Sequence, residues 1–107
     1  MTCTVLEALL EIHDLGPFLV GLRQTLPPGL ARQRDVAELL TQHLHPCTTA
    51  TVCRYEGGVN QIDSGVQKAY VDAFKLPPRL RLHLQELAGK AALEARQTTR
   101  ATAGKAA

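Results

Sequence analysis

The sequence predicts an all-α domain of about five to six short helices. Leucine and alanine supply 17 and 14 of the 107 residues, whereas valine and isoleucine together supply nine, and this balance favours helix over sheet. Apolar residues recur at helical spacing along the chain, and proline or glycine stands at the ends of several of these segments. No stretch has the apolar-polar alternation of a half-buried strand, so no sheet is predicted.

Two helices are predicted in the first thirty residues. Residues 4–13 repeat apolar side chains at three- and four-residue steps, with glutamates between them. Residues 16–25 follow, with Asp14 as the candidate cap and Pro17 near the first turn. The run Pro27-Pro28-Gly29 ends this second helix.

A longer third helix and a short fourth helix are predicted next. The third covers about residues 31–44, and His45-Pro46 ends it because a residue before proline avoids the helical region. The fourth begins at Thr48 or Thr49, either of which can cap it, and runs to about residue 55. Gly57-Gly58 closes this helix, and its inward residues are predicted to be Val52 and Tyr55.

The remaining residues predict two more helices and a tail. A turn over 60–63 leads into a fifth helix over about 64–74, and Pro77-Pro78 opens a sixth that reaches about Glu94. Residues 96–107 have no apolar stripe and read as a flexible basic tail. We therefore predict one helical domain over residues 1–95, followed by that tail.

The aromatic content, the charge distribution and the cysteine number limit the function classes that fit this chain. Four aromatic residues and no tryptophan argue against an aromatic platform for stacking bases. The net charge is +2, but residues 1–30 sum to −2 and residues 61–107 sum to +4, so the second half is basic. Three cysteines without a framework spacing, no membrane-length apolar stretch and no signal-like start predict a reduced, cytoplasmic, soluble protein without a membrane partner.

The third and fourth predicted helices carry the most informative motif. They read RQRDVAELL over residues 32–40 and TTATVCRYEGG over residues 48–58. This pattern resembles the helix-turn-helix of the Xre/Cro family, the phage lambda repressor-like DNA-binding domains. LGPFLVGLR over 15–23 is similar to that family's first helix, and the resemblance, strongest to actinobacterial regulators, covers about residues 15–88.

The chain departs from the family pattern at two places. Nine residues separate Arg23 from Gln33, whereas the family usually has six. The stretch from Gln33 to Glu56 is also about five residues longer than usual, with the excess in residues 41–47. We attribute this excess to an extended third helix and a longer turn, which affects the angle at which the fourth helix would meet DNA.

The resemblance implies roles for particular residues. Its base-reading positions fall on Thr48, Thr49, Ala50 and Arg54. Its phosphate-binding positions fall on Gln33, Gly58, Asn60 and Gln61, and charge and placement add Arg32, Arg34 and Lys68. The resemblance also implies a partly buried ion pair between Arg23 and Glu56, a structural role whose disruption can cost about 3–5 kcal/mol.

Physical chemistry supports the same roles for the fourth helix. The major groove of B-DNA is about 12 Å wide and accepts one helix. Small threonine and alanine side chains allow the helix backbone to approach DNA closely, and Arg54 can donate two hydrogen bonds to guanine O6 and N7. Helix N-terminal amides also suit phosphate oxygens.

Two other interpretations concern the histidines and cysteines of this region. His43, His45, Cys47 and Cys53 are metal-ligand types, but their spacing matches no strong zinc signature, so surface histidines and half-buried cysteines are the preferred interpretation. A redox hypothesis makes Cys47 or Cys53 a sensor thiol, with the pKa of Cys47 lowered by the helix N-terminus.

The sequence thus predicts a sequence-specific DNA-binding transcriptional regulator, repressor or activator, with double-stranded DNA as partner. No nucleophile–base arrangement is evident, so no enzyme activity, cofactor or metal is predicted. A homodimer is a candidate assembly, with Leu82 off the main stripe of the sixth helix as a contact. The alternative is a protein-interaction module on the same scaffold, such as an antitoxin-like, accessory or sigma-factor-contacting protein.

Overall fold

The computed structural model describes residues 3–43, 45–58 and 61–106, with side chains described up to residue 97. Within these ranges the chain forms six helices and no strand, as predicted. In chain order they are α1 (Cys3–Leu10), α2 (Leu15–Gln24), α3 (Gln33–Gln42), α4 (Thr49–Glu56), α5 (Ser64–Phe74) and α6 (Pro78–Ala106). None of the described helices combines the length and apolarity required to cross a membrane.

Side chains cap the N-termini of α4 and α5. The Thr48 hydroxyl accepts a hydrogen bond from the backbone N–H of Thr51 at 3.3 Å, so the predicted cap of α4 is confirmed. The Asp63 carboxylate does the same for Val66 at the start of α5, at 2.9 Å. Asp14 is the N-cap residue of α2, but its carboxylate makes no capping hydrogen bond.

The core is a continuous apolar cluster to which all six helices contribute. Helix α2 lies at its centre and contacts α1, α4 and α6. The largest fully buried side chains come from α2 to α6 and from the loop before α6, and they are Phe18, Leu19, Leu22, Val36, Leu40, Val52, Tyr70, Leu76, Leu80 and Leu84. Burial of about ten such side chains is the main stabilising contribution, since each contributes about 1.5–3 kcal/mol.

Tyr70 is the buried aromatic at the middle of this cluster. Its ring is 1% exposed and stacks on Phe74, with 5.9 Å between ring centroids. Among the described residues its hydroxyl has no hydrogen-bond partner. Burial, assisted by the nearby charge of Glu56, raises the pKa of the Tyr70 hydroxyl well above its ordinary value.

Three predicted helix ends are wrong. Helix α1 ends at Leu10 and not at residue 13. Helix α3 ends at Gln42 and not at residue 44. Helix α6 continues to Ala106, whereas the sequence predicts an end near Glu94 and a flexible tail. Alanine-rich sequence has high helix propensity, and adding a residue to an existing helix fixes few angles for each new hydrogen bond, so no apolar stripe is required.

Candidate nucleic-acid interface

Helices α3 and α4 pack against each other and are joined by a six-residue connection, residues 43–48, of which Leu44 lies outside the described residues. The Thr41 hydroxyl donates to the carbonyl of Ala37 at 2.8 Å and accepts from the N–H of Cys47 at 3.3 Å. The N–H of His45 donates to the Leu40 carbonyl at 3.0 Å. These bonds satisfy backbone groups at the end of α3, so the extra residues lengthen the connection and not the helix.

A side-chain contact ties this connection to α4. The His45 ring nitrogen Nε2 lies 3.2 Å from the hydroxyl of Tyr55. Tyr55 is 6% exposed and its ring packs against the core, so one end of the side chain is apolar and the other is hydrogen-bonded. Burial raises the pKa of the Tyr55 hydroxyl. The connection and the buried side of α4 are therefore held in one arrangement.

The opposite side of α4 is open to solvent. Val52 and Tyr55 are buried, as predicted, whereas Thr49, Ala50, Cys53 and Arg54 are exposed. Because these four positions are spaced at i, i+1, i+4 and i+5, they share one side of the helix, which we call the exposed face of α4. Within the described part of the chain, the Arg54 side chain has no hydrogen bond or ion pair, so its guanidinium donors remain available.

Sequence reasoning did not include Cys53 in the candidate interface. The structure places it on the exposed face of α4, one turn after Thr49 and beside Arg54. The signal that could have found it is helical spacing, because a residue four positions after Thr49 must lie on the same side of the helix. Its thiol is small and weakly polar, so it projects little from the helix surface beside Arg54.

A buried ion pair fixes the end of α4. The Arg23 Nε lies 3.0 Å from Oε2 and 3.1 Å from Oε1 of Glu56, as the resemblance implies. Arg23 also donates from Nη1 to the carbonyl of Ala31 at 2.8 Å, and the Gln33 amide donates to Glu56 Oε1 at 3.3 Å. Since the Glu56 side chain is only 5% exposed, these contacts connect α2, α3 and α4 through one desolvated carboxylate.

The backbones of α2 and α4 also touch directly. A Cβ atom at Gly16, in the first turn of α2, would collide with the backbone carbonyl oxygen of Glu56. Only glycine fits at this position without movement of one helix. The first turn of α2 therefore determines, together with the ion pair of Arg23, where the C-terminal end of α4 lies.

Several predicted residues meet in a groove between α3 and the start of α4. The groove has a volume of about 530 Å³, and its lining includes Arg34, Glu38, Thr41, Thr48 and Thr49. Arg34, Thr48 and Thr49 come from the predicted interface, so the structure brings these three together. Glu38 adds one negative charge to the same groove, which is unfavourable for a phosphate.

The remaining predicted residues differ in their exposure and in whether their side chains already have a partner. Arg32 is paired with Asp35 on the surface, with 3.3 Å between Nε and Oδ2, so its charge is already compensated. Gln33 is half-buried and uses one amide hydrogen on Glu56, which leaves the other available. Gly58, in a left-handed conformation, and Gln61 are exposed and line one cleft beside α6. Lys68 is exposed on α5, away from both grooves, and Asn60 lies outside the described residues.

The cysteines and histidines do not assemble into a metal site within the described ranges, where no three His, Cys, Asp or Glu side chains form a group. The pKa of the Cys47 thiol is raised by burial, so the predicted lowering by the helix N-terminus is wrong. The Cys47 side chain is partly covered, and this desolvation disfavours its charged thiolate form.

Comparison of the chain with protein-family models, with curated proteins and with solved structures finds no match. The fold and the site must therefore be interpreted from their own geometry.

Proposed function

We propose that the protein is a sequence-specific DNA-binding regulator that inserts the exposed face of α4 into the major groove. The observation that carries this proposal is the two-sided character of α4. One side is fixed by Val52, Tyr55 and the ion pair of Glu56, while the other presents small side chains and Arg54 to solvent. A short, firmly anchored helix whose exposed side carries mostly small side chains fits the width of the groove.

Charge and hydrogen-bonding capacity support the same function. Among the described residues the Arg54 guanidinium has no partner, and its donors suit the two acceptors O6 and N7 of guanine. Arg34 lies at the groove beside the start of α4, where a phosphate of the backbone would pass. The Glu38 carboxylate at the same groove limits non-specific attraction, so base contacts would contribute a larger share of the affinity.

The direct test begins with selection of bound sequences from random duplexes, followed by titration of the selected duplex. We expect Arg54→Ala to lose about 1–3 kcal/mol of specific binding and to relax the preference at one base pair. Arg79→Ala is the matched control, because it removes one exposed arginine from the far helix α6. An Arg54→Ala protein with wild-type affinity and wild-type base preference would show that this docking arrangement is wrong.

A homodimer on a palindromic site is part of the proposal. Leu82 and Leu93 of α6 are 61% and 55% exposed, and they are the apolar side chains of this helix that a second copy could cover. Two copies paired through such residues would place two α4 helices at half-sites about one DNA turn apart. The selected sequences distinguish the cases, because a dimer yields an inverted repeat and a monomer yields a single half-site.

The second candidate is a protein-interaction module on this scaffold. The same exposed leucines, together with Leu30 at 55% exposure, favour it. Salt separates the two candidates, since binding through several phosphates must weaken steeply as salt rises. Retention on DNA that disappears between about 50 and 200 mM salt supports the regulator, and salt-insensitive retention on a partner polypeptide supports the module.

A further inference from the structure

The second half of α6 runs beside the loop that follows α4. Gly58 and Gln61 of that loop and Ala92 and Ala95 of α6 line one cleft of about 380 Å³. The acidic side chains of Asp14 and Glu94 line the same cleft, so the cations that favour a phosphate here must come from the residues after Glu94. Gly58 and Gln61 are two of the candidate phosphate contacts of the proposed interface. The residues of α6 that follow Ala95 therefore continue the helix from an edge of the candidate DNA surface.

The charge of this terminal part of α6 is entirely positive. Residues 95–107 contain Arg96, Arg100 and Lys105, no acidic residue, and no apolar side chain larger than alanine. Arg96 is exposed, and the last buried side chain of α6 among the described ones is Ala88. A helix without a large apolar side chain has little to bury against a protein, so anions are the ligands its chemistry suits.

The length of α6 determines how far this segment extends beyond the cleft. Its 29 residues correspond to about 43 Å at 1.5 Å per residue, comparable with the 50 Å long dimension of the whole molecule. The backbone from Arg96 to Ala106 is helical, and it adds about 16 Å beyond the cleft residue Ala95. That distance covers several phosphates of a DNA strand, which recur about every 3.4 Å along the duplex axis.

We propose that the end of α6, residues 96–106, is a basic arm that binds DNA phosphates beside the site read by α4. The proposal rests on the proposed DNA-binding function and adds a contact outside the helix-turn-helix. The arm recognises phosphates through charge and carries no base preference. It therefore contributes affinity and salt dependence, whereas the exposed face of α4 contributes sequence preference.

The test compares the full chain with the triple variant Arg96→Gln, Arg100→Gln, Lys105→Gln on the selected duplex carrying flanking DNA. If all three cations contact phosphates, the salt slope falls by about 2.7, so the wild-type protein loses about 40-fold more affinity than the variant between 50 and 200 mM salt. Base preference should be unchanged. On a duplex trimmed to the selected site, the two proteins should bind nearly equally.

Two controls isolate the arm. Arg96→Lys with Arg100→Lys keeps the charge and should keep the wild-type salt slope. Arg79→Gln removes a cation about 25 Å away along α6 and should not reduce the slope by as much as Arg96→Gln does. Equal effects of Arg79→Gln and Arg96→Gln would overturn the proposal, because net charge alone would then explain the result.

The remaining outcomes distinguish the arm from the function on which it rests. A wild-type salt slope in the triple variant, while Arg54→Ala is defective, overturns the arm and leaves the DNA-binding function standing. The same slope with lower helicity by circular dichroism also overturns it, since the bases would then only stabilise the C-terminal end of the helix. Absence of salt-sensitive binding to any duplex by the wild-type protein overturns both.

Discussion

At the scale of single residues, Gly16 is the position with the least freedom. It lies where the first turn of α2 meets the end of α4, with the carbonyl of Glu56 against its Cα. We expect Gly16→Ala to destabilise the protein by about 1–3 kcal/mol, because the added methyl group must move one helix backbone away from another. Chemical denaturation measures this change as a lower midpoint with an unchanged slope.

Gly89 is the matched control for that substitution. It is also a helical glycine, in α6, but nothing lies within 4 Å of the Cβ it would gain. Gly89→Ala should stabilise the protein by about 0.5–1 kcal/mol, since alanine loses less conformational freedom in a helix. The same methyl group should therefore have opposite effects at the two sites, and effects of the same sign would contradict the close contact at Gly16.

At the scale of the helix, the start of α4 depends on Thr48. We expect Thr48→Ala to cost about 1 kcal/mol, because the N–H of Thr51 would lose its acceptor. Thr49→Ala, one position later, should change stability by less than about 0.5 kcal/mol, since alanine is a good helix former and Thr49 is exposed. Thermal unfolding of both variants measures the difference, and equal losses would show that the cap does not stabilise α4.

The helices differ in how far the sequence predicts them. Helix α5 begins and ends where predicted, because Asp63 before it and the apolar spacing within it are local signals. The end of α3 is missed because Thr41 and His45 close it through hydrogen bonds across the turn, which no local pattern reveals. The end of α6 is missed because helix propensity alone continues this helix beyond the last residue of its apolar stripe.

The candidate interface is predicted unevenly for a similar reason. Spacing within one helix indicates that Thr49, Ala50 and Arg54 share a side of α4, and the structure places them there. The sequence cannot show that Arg32 is neutralised by Asp35, since that depends on rotamers at the start of α3. Nor can it place Gly58 and Ala92 at one cleft, because the two segments are more than thirty residues apart in the chain.

At the scale of the whole molecule, the buried hydroxyl of Tyr70 makes folding sensitive to alkaline pH. The pKa of this group is raised in the folded state above its unfolded value of about 10, so its contribution to stability is fully present below about pH 10 and is lost as pH rises further. The loss approaches about 1.4 kcal/mol per pH unit. Tyr70→Phe should unfold less readily in this range.

Unfolding of the wild-type and Tyr70→Phe proteins at pH 7 and at pH 11 tests the prediction. At pH 7 the variant should be as stable or more stable by about 1 kcal/mol, because it removes a buried hydroxyl that has no partner among the described residues. At pH 11 the difference in stability between Tyr70→Phe and the wild-type protein should be larger in favour of the variant. The pKa of Tyr55 is also raised by burial, so Tyr55 adds the same pH dependence of stability to both proteins. If the stability difference between the two proteins were the same at pH 7 and at pH 11, Tyr70 would not be the source of the alkaline effect.

The single carboxylate of Glu56 has a consequence for local opening. Helix α4 has eight residues, too few to persist alone in water, and its end is held by groups on α2 and α3. Opening α4 by itself would leave the Arg23 guanidinium and the Gln33 amide without their partner. The amide hydrogens of α4 should therefore exchange with solvent mainly through global unfolding, in step with those of α2. The surface that α4 presents then exists only when the three helices are folded together.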